Sequence, residues 1–187
     1  MAATNLRASL TMRFLVALLV LIALPAAAQQ KKRAAGPAAP KGPPCSSPAH
    51  HQFDFWIGEW DVQTPKGTAA GENTVEPILD GCALRESWKA ADGSEATSLT
   101  SYDAAGARWT QTFVDSLGMV MILEGDLKDG KMVLSGTRYG PRGSSTLNRV
   151  IWQKVDADHL RQRWEQSTDE GKQWTLLFEG VYTRKKS

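Results

Sequence analysis

The stretch FDFWIGEWDV, residues 53–62, changes its hydrophobic period partway along. Phe53, Trp56 and Ile57 have the i, i+3, i+4 spacing of one helical face. After Gly58 apolar and polar residues alternate, as they do in a strand with one buried face. We interpret the stretch as a short helical plug that closes one end of a β structure and continues into its first strand.

The rest of the chain has the pattern of short strands joined by tight turns. Asp-Gly between alternating apolar residues is a strong hairpin signal, and it occurs at 80–81, 92–93 and 129–130. The predicted strands are 59–64, 72–79, 82–90, 95–102, 108–114, 119–127, 132–139, 146–155, 159–166 and 173–183. Closing such a meander removes its exposed edges. We therefore predict an all-β fold, an antiparallel up-and-down barrel of about ten strands with an N-terminal helical plug. The alternative is a two-sheet sandwich, which usually needs longer crossovers.

Residues 1–28 have the features of a signal peptide. Residues 14–24 are an uninterrupted apolar run, too short to span a bilayer, and small residues follow up to Ala28. Cleavage near Ala28 would export the protein to the periplasm or the medium. Translation from Met1 or from Met12 gives a complete leader. The alternative is an uncleaved N-terminal anchor.

The charge of the predicted domain differs from that of the whole chain. Residues 29–44 contain no large apolar side chain and are predicted to be a disordered linker, which leaves 45–187 as one domain. The chain has 22 basic and 20 acidic residues, and six of the basic ones but none of the acidic ones precede Cys45. The domain is therefore mildly acidic. This argues against a nucleic-acid partner, because phosphate binding needs a basic surface. We expect a monomer without a membrane span in the mature chain.

The two cysteines of the chain, Cys45 and Cys82, favour a disulfide. An exported chain meets an oxidising compartment, where paired cysteines are normally bonded. The bond would close a loop of about 37 residues, worth roughly 3–4 kcal/mol in the chain-entropy model. The alternative is two buried thiols.

The opening motif Trp-x-Gly-x-Trp, at Trp56, Gly58 and Trp60, resembles the start of lipocalins and fatty-acid-binding proteins, the calycin group. In lipocalins the opening tryptophan packs across the barrel floor. The resemblance thus implies a structural role for Trp60. We assign Phe53, Trp56 and Gly58 to the same floor.

The chain also resembles a group of uncharacterised bacterial secreted proteins. That group shares the Cys…FDFWxGEWDV opening, the Gly-Cys-x-Leu-x-Glu-x-Trp strand at 81–88 and the Arg-Gln-x-Trp-Glu strand at 161–165. The resemblance covers essentially the whole domain and implies no reaction. Nitrobindins, which are also ten-stranded, hold haem through a histidine on a late strand. Here the late histidine, His159, is placed in a turn, so no haem or other cofactor is predicted.

The candidate ligand cavity comes from strand faces that mix aromatic side chains with an amide or a carboxylate. A dry core prefers aliphatic residues, because burying an unpaired amide or carboxylate costs roughly 1–3 kcal/mol. A ligand pocket tolerates the mixture. The predicted cavity residues are Glu86, Trp88, Trp109, Gln111, Gln162 and Trp164. The alternative is that the tryptophans pack the core or the outer face and that the polar residues pair with one another. A buried pair of Glu86 with Arg161 or Arg163 would orient a ligand carboxylate or hydroxyl, and a surface pair is the alternative to it.

Signatures of catalysis and of metal binding are weak. The sequence has no GxSxG, HExxH, GxGxxG or P-loop spacing. His50 and His51 are adjacent and therefore make a poor chelate, and no metal site is predicted. Glu86 in an apolar pocket would have a raised pKa and could act as a general base. We expect a binding protein for a small apolar or amphipathic molecule. An enzyme using Glu86 and a non-binding envelope or interaction protein are the alternatives.

Overall fold

The computed structural model describes residues 42–186. The expected signal peptide, 1–28, lies outside the described residues, as does most of the expected linker, 29–44. No helix among the described residues has the length and apolar character needed to cross a membrane.

Ten antiparallel strands form a closed barrel in which each strand pairs with its sequence neighbours and the last pairs with the first. This confirms the predicted fold class. The strands are β1 Gly58–Gln63, β2 Ala69–Ile78, β3 Ala83–Ala90, β4 Glu95–Asp103, β5 Arg108–Asp115, β6 Val120–Lys128, β7 Lys131–Tyr139, β8 Ser145–Lys154, β9 His159–Ser167 and β10 Thr175–Arg184. Each observed boundary lies within three residues of the predicted one. Alternation of side chains in the sequence thus carries most of the information on topology.

The barrel closes between β1 and β10, where Trp60 lies opposite Arg184 and Gln63 lies opposite Val181. The predicted plug consists of two 3-10 turns, Pro48–His51 and Asp54–Trp56, rather than one helical turn. Further 3-10 turns lie at Leu79–Gly81 and Pro141–Gly143. We call residues 48–57 the plug.

The plug fills the end of the barrel where β1 begins. The Phe53 ring stacks on the Trp56 ring with centroids 4.9 Å apart, and Trp56 contacts Trp152 at 4.4 Å. The indole Nε1 of Trp60 donates to the backbone oxygen of Trp56 at 3.0 Å. Phe53, Trp56 and Trp60 are fully buried. Aromatic pairs add roughly 0.5–1.5 kcal/mol each beyond area burial, so this group, with Trp109 and Trp152, forms a rigid floor cluster.

A disulfide joins Cys45 to Cys82 and ties the segment before the plug to the start of β3. This confirms the predicted pairing. The bridge closes a separation of 37 residues, for which the chain-entropy model gives about 3–4 kcal/mol. The plug is therefore held at its N-terminal side by a covalent bond and at its C-terminal side by the first strand.

Candidate functional site

The end of the barrel opposite the floor holds a concave chamber. An antiparallel meander sends alternate turns to opposite ends, so the turns at 64–68, 91–94 and 168–174 all surround this end, which we call the mouth. The outer chamber, just inside the mouth, has a volume of about 400 Å3. Small residues such as Ala70, Ala90 and Ser94 line part of it.

The walls of the outer chamber are aromatic. Trp88, Phe113, Trp164 and Phe178 all line it. The rings of Trp88 and Phe178 meet edge to face with centroids 6.3 Å apart. Indole and phenyl faces bind apolar groups through burial and cations through their quadrupole. The chamber therefore suits a molecule with a substantial apolar body.

A smaller inner chamber of about 40 Å3 lies deeper, towards the floor. Met121, Leu123, Val150 and Trp152 line it together with Gln111. It shares Glu86, Phe113, Gln162 and Trp164 with the outer chamber. A cavity needs only about 10–15 Å3 to hold one water molecule, so the inner chamber has room for a few small atoms beyond Glu86.

Glu86 is the acidic residue common to both chambers, and it is 5% exposed. Asn73 on β2 donates its Nδ2 to Oε1 of Glu86 at 3.0 Å. The Ser98 hydroxyl on β4 donates to Oε2 at 2.6 Å, and Gln111 on β5 donates to the Ser98 oxygen at 3.1 Å. Three neighbouring strands thus hold the carboxyl group in one orientation.

Burial raises the pKa of Glu86 to about 7, and the hydrogen bonds from Ser98 and Asn73 only partly oppose that rise. Desolvation disfavours the charged form of a carboxyl group, whereas donors to it favour that form. With this pKa, Glu86 changes its charge near neutral pH. The group is accordingly able to bind a donor or a cation and to exchange a proton.

Tyr182 on β10 forms the other polar part of the site. Its hydroxyl donates to Oε1 of Gln162 at 2.7 Å, and it lines the outer chamber beside Glu86. Burial, followed by the nearby charge of Glu86, raises the pKa of Tyr182 well above its ordinary value. The phenol is therefore neutral at any physiological pH and acts as a hydrogen-bond donor.

The structure brings five of the six predicted cavity residues together. Glu86, Gln162 and Trp164 line both chambers, Trp88 lines the outer one and Gln111 lines the inner one. The sixth, Trp109, also faces inward but at the floor end of β5. It packs edge to face on Phe53 at 5.7 Å and donates Nε1 to Gln52 at 3.2 Å. Alternation predicts the face of a strand residue and not its height along the barrel.

Arg161 and Arg163 point outward from β9 and do not pair with Glu86. Arg163 bonds Glu165 at 2.9 Å, and Arg161 lies 3.9 Å from Glu179. The proposed buried pair is therefore wrong, because residues 161 and 163 share the outer face of the strand. The partners of Glu86 are the neutral groups of Asn73 and Ser98.

A match to one protein family covers the plug and the whole barrel. A family model described as "Protein of unknown function (DUF1579)" matches residues 46–184, from the residue after Cys45 to the end of β10. The chain belongs to the DUF1579 family. A comparison with curated proteins finds no match. The description of this family assigns no activity or ligand.

A concave region of about 710 Å3 lies on the outside of this DUF1579 barrel. Its lining mixes basic and acidic side chains, including Lys131, Arg149, Arg161, Glu165 and Glu179, and it has no aromatic wall. Arg149 bonds Glu165 at 2.6 Å, and Arg163 also contacts Glu165. Arg149, Arg161 and Arg163 are paired with Glu165 and Glu179, and the region lacks an aromatic wall, so the interior is the stronger candidate site despite its smaller volume.

The three histidines make local contacts. Nδ1 of His50 lies 2.7 Å from the Ser47 hydroxyl, His51 lies 2.8 Å from Asp54, and His159 lies 2.9 Å from Asp156. Within residues 42–186 no group of three or more His, Cys, Asp or Glu side chains has the geometry of a metal site. These contacts stabilise the plug and the turn between β8 and β9, both of which lie at the floor end of the barrel.

Five residues of the site were not predicted from the sequence: Asn73, Ser98, Phe113, Phe178 and Tyr182. Asn73 and Ser98 are single polar residues on strands without a tryptophan, so these strands lack the mixture of tryptophan and polar side chains on which the cavity prediction rests. Phe178 and Tyr182 follow a register shift in β10 between Leu176 and Phe178. The sequence Phe-x-Gly-x-Tyr, residues 178–182, indicates that Phe178, Gly180 and Tyr182 share one face of β10. Which face that is depends on the position of the bulge.

Proposed function

We propose that the mature protein is an exported barrel that binds a small apolar or amphipathic molecule in the outer chamber. The main support is a buried carboxyl group that lines a cavity with aromatic walls. Leaving such a group in a purely structural core is costly, because desolvation destabilises its charged form by several kcal/mol. Here Glu86 is held by Asn73 and Ser98 on one side, while the chambers lie on the other.

The binding mode follows from the lining. The apolar part of the ligand lies against Trp88, Trp164 and Phe178, and its polar end lies against Glu86 and Tyr182. A chamber of about 400 Å3 is within the size range of small-molecule sites.

Export and a monomeric state belong to the same proposal. The leader-like sequence of residues 1–28 and the Cys45–Cys82 disulfide both favour an oxidising compartment. A closed barrel has no free sheet edge to pair with a second copy. Gel filtration of the mature domain, 45–187, tests the monomer.

The test of binding is to identify compounds that co-purify with the protein by mass spectrometry of an organic extract, and to titrate them back while following tryptophan fluorescence. Quenching should be reduced in Trp88→Phe, because Trp88 lines the outer chamber. The matched control is Trp174→Phe, since Trp174 lies under Arg149 with the guanidinium 3.9 Å from its ring. Absence of any co-purified compound, together with no quenching or thermal shift across a broad ligand panel, would refute the proposal.

An enzyme that uses the same cavity is the second candidate. It is favoured by one observation, the pKa of about 7 at Glu86, which suits general acid–base catalysis. Once a ligand is known, its chemical conversion is measured with the native protein and with Glu86→Gln. Turnover that disappears in the variant while binding persists would favour the enzyme, and an unchanged ligand would favour the binding protein.

A further inference from the structure

The charges that line the two chambers have one sign. Among the described residues that line them, Glu86 and Asp92 are acidic, and none is Lys, Arg or His. Asp92 lies at the mouth, where the backbone N–H and then the hydroxyl of Ser94 lower the pKa of its carboxyl group. A ligand that enters the barrel therefore passes one carboxylate and reaches another.

The oxygens of Glu86 have bonding capacity left. Each accepts one hydrogen bond, from Asn73 and from Ser98, whereas an ionised carboxylate has about four lone-pair positions. In addition, Oδ1 of Asn73 is buried and accepts no hydrogen bond from any described residue. Asn73 lies beside Tyr182 and outside the lining of both chambers, so the acceptor capacity that faces a ligand is that of the Glu86 carboxylate.

The walls around Glu86 suit a cation. Trp88, Phe113, Trp164 and Phe178 face the same chamber as the carboxyl group. Aromatic faces attract ammonium groups by about 0.5–2 kcal/mol, with the larger values at desolvated sites. A carboxylate ligand such as a fatty acid would meet the opposite situation, because it would place like charge beside Glu86 without a basic residue in the lining.

We propose that the barrel selects organic cations: a protonated amine that carries an apolar body, with its ammonium group at Glu86 and its body against Trp88, Trp164 and Phe178. This inference rests on the proposed binding function and adds the chemical class of the ligand. It also explains why Glu86 has neutral partners. A resident arginine would occupy the position that the ammonium group takes.

Binding of an amine should depend on pH through Glu86. The groups that face Glu86 are Asn73, Ser98, Gln111, Gln162 and Tyr182, and of these only Tyr182 titrates, far above neutrality. At the mouth, Asp92 is already ionised at neutral pH. An alkylamine, like the lysine side chain with its pKa of about 10.4, stays protonated throughout. Amine affinity should therefore rise between about pH 5.5 and about pH 8 as Glu86 loses its proton.

The experiment compares octylamine, octanol and octanoate, which share one apolar chain and differ in charge, by calorimetric titration of the domain at about pH 8. Octylamine should bind about tenfold or more tightly than octanol, and octanoate more weakly than octanol. Glu86→Gln should remove the advantage of octylamine over octanol, so that the two compounds bind with similar affinity. Glu76→Gln, on the outer face of β2 beside Arg85, is the matched control and should keep that advantage.

The outcomes separate the two proposals. Octanoate or octanol binding as tightly as octylamine would overturn cation selectivity while leaving the binding function in place. No binding by any of the three compounds would count against the binding function itself. If Glu86→Gln does not fold, the native protein still gives a result, because an octylamine affinity that is unchanged between about pH 5.5 and about pH 8 overturns the role of Glu86.

Discussion

At the scale of a single residue, Glu86 distinguishes this barrel from an ordinary packed core. Inward positions elsewhere are filled by Val75, Leu84, Leu123 and Leu134, all nearly or fully buried. Glu86 occupies an equivalent inward position on β3, where it lines both chambers. Its pKa of about 7 reports the cost of charging a group in that place.

The first prediction concerns stability against pH. The pKa of Glu86 rises from 4.5 in the unfolded chain to about 7 in the folded protein, so the folded state binds the proton more tightly. Stability is therefore greatest below the lower value and falls as pH rises through the higher one. The native domain should lose roughly 3 kcal/mol of unfolding free energy between about pH 4.5 and about pH 8 relative to Glu86→Gln.

Urea unfolding at a series of pH values measures this difference. Subtracting the unfolding free energy of Glu86→Gln from that of the native domain at each pH cancels the contribution of the other titrating groups. The exposed-site variant Glu76→Gln should follow the native curve. Parallel curves for the native domain and Glu86→Gln would show that Glu86 is solvated in the folded state.

At the scale of the element, alternation within a strand predicts which residues face the interior, but a β-bulge reverses that prediction for the residues beyond it. Glu86 and Trp88 on β3, and Gln162 and Trp164 on β9, line the chambers and lie on the faces that alternation in the sequence predicts. In β10 Leu176 and Leu177 are both about half exposed, Leu177 lies at the edge of the outer chamber, and the regular alternation towards the interior begins at Phe178. One extra residue exchanges the two faces of a strand. Nothing in the local sequence marks that position, so Tyr182 could not be assigned from pattern alone.

The second prediction concerns the junction between the plug and β1. Gly58 has φ +140°, and a Cβ there would overlap Nη1 of Arg184. That guanidinium donates to the backbone oxygen of Ile57 at 3.0 Å and lies over the Trp60 ring at 4.2 Å. Gly58→Ala should therefore lose both contacts and strain the backbone, lowering the unfolding free energy by about 2–4 kcal/mol.

Gly93→Ala is the control for Gly58→Ala, since Gly93 also has a positive φ of +88° but no atom within 4 Å of the added Cβ. Its unfolding free energy should fall by only about 1 kcal/mol, the contribution of backbone strain. Chemical denaturation followed by tryptophan fluorescence compares the two. Equal losses would mean that the Arg184 contact contributes nothing to the floor.

At the scale of the whole molecule, the barrel has two ends with different chemistry. The floor end has the plug, the disulfide and the aromatic cluster, and it is densely packed. The mouth end has small residues at its rim and the outer chamber behind them. The sequence predicts this polarity in part, because the plug precedes β1 and must close the end where β1 begins. It does not predict the chamber, whose size depends on how far the side chains of opposite strands reach.

The third prediction follows from this division of the molecule. Ala90 is the last inward residue of β3 and lines the outer chamber at the mouth. Ala90→Phe should fill part of the chamber and lower the affinity for octylamine and octanol about tenfold or more, equivalent to about 1.4 kcal/mol. Its unfolding free energy should change by less than about 0.5 kcal/mol, because the floor is untouched. Ala91→Phe, at an exposed neighbouring position, should change neither quantity. Calorimetric titration and urea unfolding measure both properties on the same samples, and unaltered affinity in Ala90→Phe would place the ligand outside the mouth chamber.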